Sequence, residues 1–171
     1  GVYAKYYTSS WSSWSADLET VETASVGSIQ ILRLSSGHVL VFWIAGAKLK
    51  CAKSNVPSAD PPTFNSATTI DSSVYAEKGT FSAVVDSTQR VHVIYSDSDC
   101  TLDHAYADSP YTSWTINADV TAATVPQMAL AVDGTTLYAQ YLKSNVVYYK
   151  SYTGSWGGEN TIASGENTPI N

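Results

Sequence analysis

Four acidic side chains, Asp71, Glu77, Asp97 and Asp99, fall in polar segments between apolar runs. Carboxylates placed in this way suit two chemistries. A pair converging at roughly 5 to 9.5 Å can hydrolyse glycosides, and Asp97 with Asp99 offers oxygen ligands to a hard cation. Neither chemistry is required, because Asp and Ser favour turns with no ligand at all. No metal site, cofactor or catalytic residue is assigned. The aromatic residues carry the stronger signal: 12 Tyr and 5 Trp stand against 3 Phe. Tyr and Trp combine an apolar face with a polar handle, which suits sugar stacking and protein recognition. Trp14, Tyr75 and Tyr111 lie in loops or break the repeating pattern described below. They are the aromatic candidates for recognition, joined by Glu77, Asp97, Asp99 and Lys143 from connecting segments.

Other chemistries find little support. His38, His92 and His104 fall on expected strands at unrelated depths with no G-x-S-x-G nucleophile motif nearby, so they read as structural or surface histidines. Cys51 and Cys100 match no zinc spacing. Aligned on the repeat they are offset by roughly 13 Å along adjacent strands, further than the about 7 Å Cα separation a disulfide spans, and free thiols are expected. A net charge of -6 disfavours binding to nucleic acid or anionic membranes. No apolar run reaches the roughly 18 residues of a membrane span, and the start of the chain lacks the layout of a signal peptide. Few Lys and Arg beside abundant Ser, Thr, Tyr and Trp favours an extracellular or virion-associated protein.

These residues need strands to position them. His38-Val-Leu-Val-Phe-Trp43, Arg90-Val-His-Val-Ile-Tyr95 and Thr136-Leu-Tyr-Ala-Gln-Tyr141 superpose without gaps. In each copy one face of a period-two strand is apolar. A tight turn precedes each run, and an apolar strand precedes the turn: residues 28–34, 80–85 and 127–132. Third strands follow at 48–54, 101–107 and 145–151, and fourth strands end near Ile70, Val120 and Ile162. Between the third and fourth strands an aromatic recurs, at Trp11, Phe64, Trp114 and Trp156, with the period of roughly 40 to 50 residues of a propeller blade. Trp43, Tyr95 and Tyr141 are expected in the core.

The fold class is therefore all-β, a β-propeller with four-stranded antiparallel blades. Blades are expected over about 27–78, 79–124 and 125–171, with a half-blade over 1–26 because the N-terminal segment aligns with 147–156. Three and a half blades leave unpaired strand edges, which proteins seldom leave uncovered. A C2 homodimer closing the ring is the favoured partner arrangement, and the alternative is a piece of a longer propeller.

The valine-rich hairpins, Tyr-containing third strands and aromatic turns resemble the sialidase-like, Asp-box (BNR) propellers. Ala107-Asp-Ser-Pro-Tyr-Thr-Ser-Trp114 and Ser151-Tyr-Thr-Gly-Ser-Trp156 are remnants of the box. The resemblance implies a three-arginine grip on a substrate carboxylate in catalytic members, and this chain has only Arg33 and Arg90, which Lys replaces poorly. The expected function is a non-catalytic propeller that recognises carbohydrate or a surface partner. The rival readings are a glycoside hydrolase and a purely structural assembly subunit.

Overall fold

A computed structural model describes residues 26–57, 63–75, 80–122, 125 and 127–164. Trp14, Glu77 and, apart from Val26, the half-blade expected over 1–26 lie outside these residues. The chain divides into two compact units, Gly1–Ser72 and Ser73–Asn171.

The first unit contains one sheet, β1 (Val26–Arg33), β2 (Val39–Ala45), β3 (Lys48–Lys53) and β4 (Thr68–Asp71), hydrogen-bonded in chain order. The second contains two more: β5 (Phe81–Val85), β6 (Val91–Ser96), β7 (Leu102–Ala107) and β8 (Thr115–Thr121), then β9 (Gln127–Asp133), β10 (Thr136–Lys143), β11 (Val146–Tyr152) and β12 (Asn160–Ser164). All pairings are antiparallel between sequence neighbours, and no helix occurs among the described residues.

The registers bear out the gapless superposition. Trp43, Tyr95 and Tyr141 pair with Ile29, Phe81 and Met128 on the preceding strands, and all three aromatics are buried. The second strands differ in how they are covered. Both faces of β2 and β6 are buried, whereas β10 alternates between buried Leu137, Ala139 and Tyr141 and exposed Tyr138 and Gln140. A strand buried on both faces reads as a continuous apolar run, and one buried on a single face as an alternating one. Val39–Ala45 and Thr136–Lys143 follow that rule.

The hairpins are set by backbone chirality. Gly37 and Gly134 take left-handed φ of 81° and 60° before β2 and β10, where a side chain would be strained. The position before β6 equivalent to Gly37 is Gln89, φ 69°. Its strain is offset by Asp86, whose Oδ1 accepts hydrogen bonds from Thr88 N, Thr88 Oγ1 and Arg90 N at 2.8, 2.7 and 2.9 Å. Between β10 and β11, Ser144 and Asn145 both take left-handed φ, 50° and 62°, as a two-residue type I′ hairpin requires. Glycine is favoured at the second of these positions, so Asn145→Gly should raise stability by about 0.5 kcal/mol, read from the midpoint of thermal unfolding.

Candidate ligand-binding surface

Two connecting segments meet within the second unit. Val74 bridges Asp97, Tyr75 N donates to Ser96 O at 3.1 Å, and Ser98 N donates to Ser73 O at 2.7 Å. The carboxylate of Asp97 faces its own turn, where Oδ1 accepts from Asp99 N at 3.0 Å and Thr101 N at 2.9 Å. Cys100 takes a left-handed φ of 65° in that turn, so Asp97 does for the β6–β7 turn what Asp86 does for the turn before β6. No group of three or more potential metal ligands occurs among the described residues. Asp71 ends β4 in the first unit.

Two candidates occupy settings that differ from the sequence expectation. Tyr111 is only 4% exposed, and its hydroxyl donates to Gln89 O at 2.8 Å. It is not an exposed loop aromatic: it pins the β7–β8 connection to the turn before β6, and burial raises its pKa. Lys143 is an ion-pair member rather than a free loop cation. Its Nζ meets Glu159 Oε2 and lies 4.6 Å from the centre of the Tyr148 ring. The other oxygen of Glu159 accepts from the Tyr141 hydroxyl at 2.6 Å. Burial, then this bond to a carboxylate, pushes the Tyr141 pKa upward. Neither Cys51 nor Cys100 is in a disulfide.

A different group forms a surface suited to a polar ligand. Arg90 and Asp108 pair side-on, Nε to Oδ1 at 2.9 Å and Nη2 to Oδ2 at 2.8 Å, with side chains 39% and 63% exposed. The Arg90 guanidinium lies 4.8 Å from the centre of the Tyr106 ring. Tyr106, Asp108, Ser109, Pro110, Thr112 and Ser113 line a depression of about 240 Å³ beside the pair. The hydrogen bond from Arg90 holds Asp108 below the usual carboxylate range, and the same bond raises Arg90. The pair occupies two of the five guanidinium N–H donors and leaves carboxylate lone pairs free. A planar donor and a planar acceptor, an aromatic face and several hydroxyls therefore stand together. The sequence held a signal for this pair. Antiparallel pairing of Val91 with Ala107 places the residues just outside them, 90 and 108, opposite each other.

Behind this surface lies a buried histidine pair. Contrary to the reading of unrelated depths, His92 and His104 stack with ring centres 5.3 Å apart, and His92 Nδ1 lies 3.0 Å from His104 Nε2. They are diagonal neighbours on β6 and β7, since His92 pairs with Tyr106 and His104 with Ile94. His92 Nε2 faces Asp86 Oδ2 at 3.5 Å. One assignment of protons suits both contacts: His104 Nε2–H donates to His92 Nδ1, and His92 Nε2–H points to Asp86. His104 Nδ1 is then an acceptor without a partner, enclosed by Tyr106, Tyr152 and Trp156.

Burial, and to a smaller degree the neighbouring His92, lowers the His104 pKa to about 3. Burial also lowers that of His92, against the opposing pull of Asp86 and with a smaller lowering by Arg90. Burial opposes the charge on Asp86, but hydrogen bonds from Thr88, Arg90 and His92 outweigh it and depress its pKa.

No protein family and no curated protein matches the sequence. Solved structures resemble the fold. SapL1 lectin in complex with alpha methyl fucoside superposes with a TM-score of 0.68 and 21% identity over 92% of this chain and 53% of that one. A mutant of Aleuria aurantia lectin in complex with alpha-methyl-L-fucoside gives 0.64 and 17% over 93% and 52%. A putative exo-beta-1,3-galactanase from Bifidobacterium bifidum gives 0.56 and 16% over 82% and 52%. The class defined is an all-β propeller of four-stranded antiparallel blades. The chain spans about half the length of the structures it resembles.

The histidine pair yields a pH dependence. Both folded-state pKa values lie below the ordinary 6.5, so as pH falls the unfolded chain binds protons first. The contribution of the neutral pair is complete above about pH 6.5 and is lost progressively toward the folded-state value of about 3. Urea unfolding should show wild type losing about 3 kcal/mol more between pH 7 and pH 4 than a His104→Phe variant. Parallel pH profiles for the two proteins would contradict this account.

Proposed function

We propose that the chain is a non-catalytic, carbohydrate-binding propeller segment that grips sugar hydroxyls at the Arg90–Asp108 pair. The observation that carries this reading is the exposed side-on pair beside the Tyr106 ring and the hydroxyl-lined depression. A guanidinium and a carboxylate held in one plane offer paired donors and paired acceptors, the pattern that neighbouring hydroxyls on a sugar ring complement. An aromatic supplies the apolar face that the other side of a pyranose needs. The fucoside complexes of the two lectins named above support the class of ligand.

Kinship with the Asp-box group is part of the proposal, because the box remnant beginning at Ala107 supplies Asp108, Ser109, Thr112 and Ser113. So are ring closure by a second copy and a secreted or virion-surface setting. Tyr75 and Asp99, beside the linked β6–β7 turn, form a second place where a glycan could touch.

The galactanase-like neighbour favours one competitor, a glycosidase. Fluorogenic galactosides and fucosides separate the two: steady release of fluorophore, abolished by Asp97→Asn, would favour hydrolysis. Under the binding reading, a glycan array followed by titration calorimetry finds a sugar ligand. Arg90→Ala and Asp108→Ala each weaken it at least about tenfold, whereas Tyr75→Ala changes affinity less. No binding to any glycan, or equal binding by the Arg90 and Asp108 variants, would overturn the proposal.

A further inference from the structure

The second unit shows how one sheet of this repeat seats on the next. The β5–β8 sheet presents Val84, Ile94, Leu102 and Val120 to Met128, Leu130, Leu137 and Tyr141 of the β9–β12 sheet. Leu130 N donates to Ser82 Oγ at 3.0 Å across the joint, and Ser87 N donates to Gly134 O at 2.9 Å. Each sheet thus has a forward face that receives and a rear face that inserts.

Among the described residues, side chains at positions of both faces recur exposed. On the β9–β12 sheet, the register equivalents of His92 and Ile94 are Tyr138 and Gln140, and those of Ser82 and Val84 are Ala129 and Ala131. These four form an exposed forward face with Tyr149 and Ile162, lining a shallow depression of about 270 Å³. Tyr138 is 42% and Ile162 53% exposed. None of the six side chains is charged.

In the first unit, Ile29 and Ile31 pair with Trp43 and Val41, as Met128 and Leu130 pair with Tyr141 and Ala139. They are the rear-face positions of β1. Ile29 and Ile31 are 51% and 57% exposed, whereas their seated counterpart Leu130 is 8% exposed.

We infer that two copies of this chain join head to tail, the forward face of the β9–β12 sheet of one copy receiving the Ile29–Ile31 face of the other. The inference rests on the propeller reading and supplies the surfaces for its ring closure. The complement of an uncovered forward face is a rear face of the same repeat, and a second copy exposes the β1 strip of one, Ile29 and Ile31, beside Val41 and Trp43, which are already buried. The uncharged forward face and the apolar Ile29–Ile31 strip, which Arg33 borders on the same side of β1, gain by leaving water together. A head-to-tail contact closes into a ring when its rotation permits.

Sedimentation velocity and light scattering test the joint directly. Wild type is expected at about twice 18.3 kDa at micromolar concentration. Ile31→Glu and Tyr138→Glu should each shift the protein to monomer while keeping its β-sheet circular dichroism. Val56→Glu, at an exposed apolar position in the β3–β4 connection, should remain dimeric. Mixing the Ile31→Glu and Tyr138→Glu proteins should recover dimer, because one of the two joints in the mixed pair is wild type on both sides. A single self-complementary patch would give no such rescue. Wild-type monomer, dimeric variants or failure of the mixture each overturn the inference. Glycan binding by a wild-type monomer would overturn ring closure alone and leave the Arg90–Asp108 reading standing.

Discussion

A β-sheet with apolar side chains on both faces must be covered twice, and much of this molecule follows from that demand. Val39–Ala45 and Val91–Ser96 are buried on both faces. In the second unit the cover for β6 is visible: Ile94 and Leu102 meet Leu130, Leu137 and Tyr141 of the following sheet in one shared core. At about 25 cal/mol per Å² of apolar surface removed from water, such layers outweigh any single polar contact here. The two sheets of the second unit therefore depend on one another more than on their own hydrogen-bond ladders, which any antiparallel sheet would make.

The polar groups sort by whether they serve this stacking or face away from it. Asp86 and Asp97 each fold a carboxylate back onto their own turn, meeting backbone N–H groups that would otherwise be unpaired and supporting the left-handed residues Gln89 and Cys100. Their acidity is spent on geometry. His92 and His104 fill space between strands as neutral rings. Arg90 and Asp108 sit just past the paired ends of β6 and β7, where the ladder stops and the side chains reach water. That location leaves their remaining hydrogen-bonding capacity available to a ligand.

Much of the architecture was readable from the chain because its signals are local. Strand positions follow from period-two alternation, and the turns before β2 and β10 from Gly37 and Gly134, whereas the Ser144–Asn145 hairpin turn falls, at Asn145, where the alternation already suggests a strand. The equivalence of Trp43, Tyr95 and Tyr141 follows from three runs that align without gaps, and their burial from bulk and apolarity. The site was far less readable. Tyr111 sits among Pro, Thr and Ser in what looks like an open loop, yet the chain turns it inward onto Gln89, a partner distant in sequence. Lys143 lies beside a hairpin turn, and its partner Glu159 lies beyond the following strand and turn.

What the amino-acid sequence determined by itself was the unit of construction: an apolar, four-stranded, aromatic-marked repeat, with a composition that argues against nucleic acid. These properties depend on residue type and short spacing, which the chain carries openly. The tertiary structure decided which polar residues meet. Strand register placed Arg90 against Asp108 and His92 diagonal to His104, while burial decided that the second pair stays neutral and the first stays wet. Sheet stacking decided which apolar faces are covered and which side chains, Ile29, Ile31, Tyr138 and Ile162 among them, stay exposed. Register and stacking bring together residues far apart in the chain, and spacing along it does not encode that proximity.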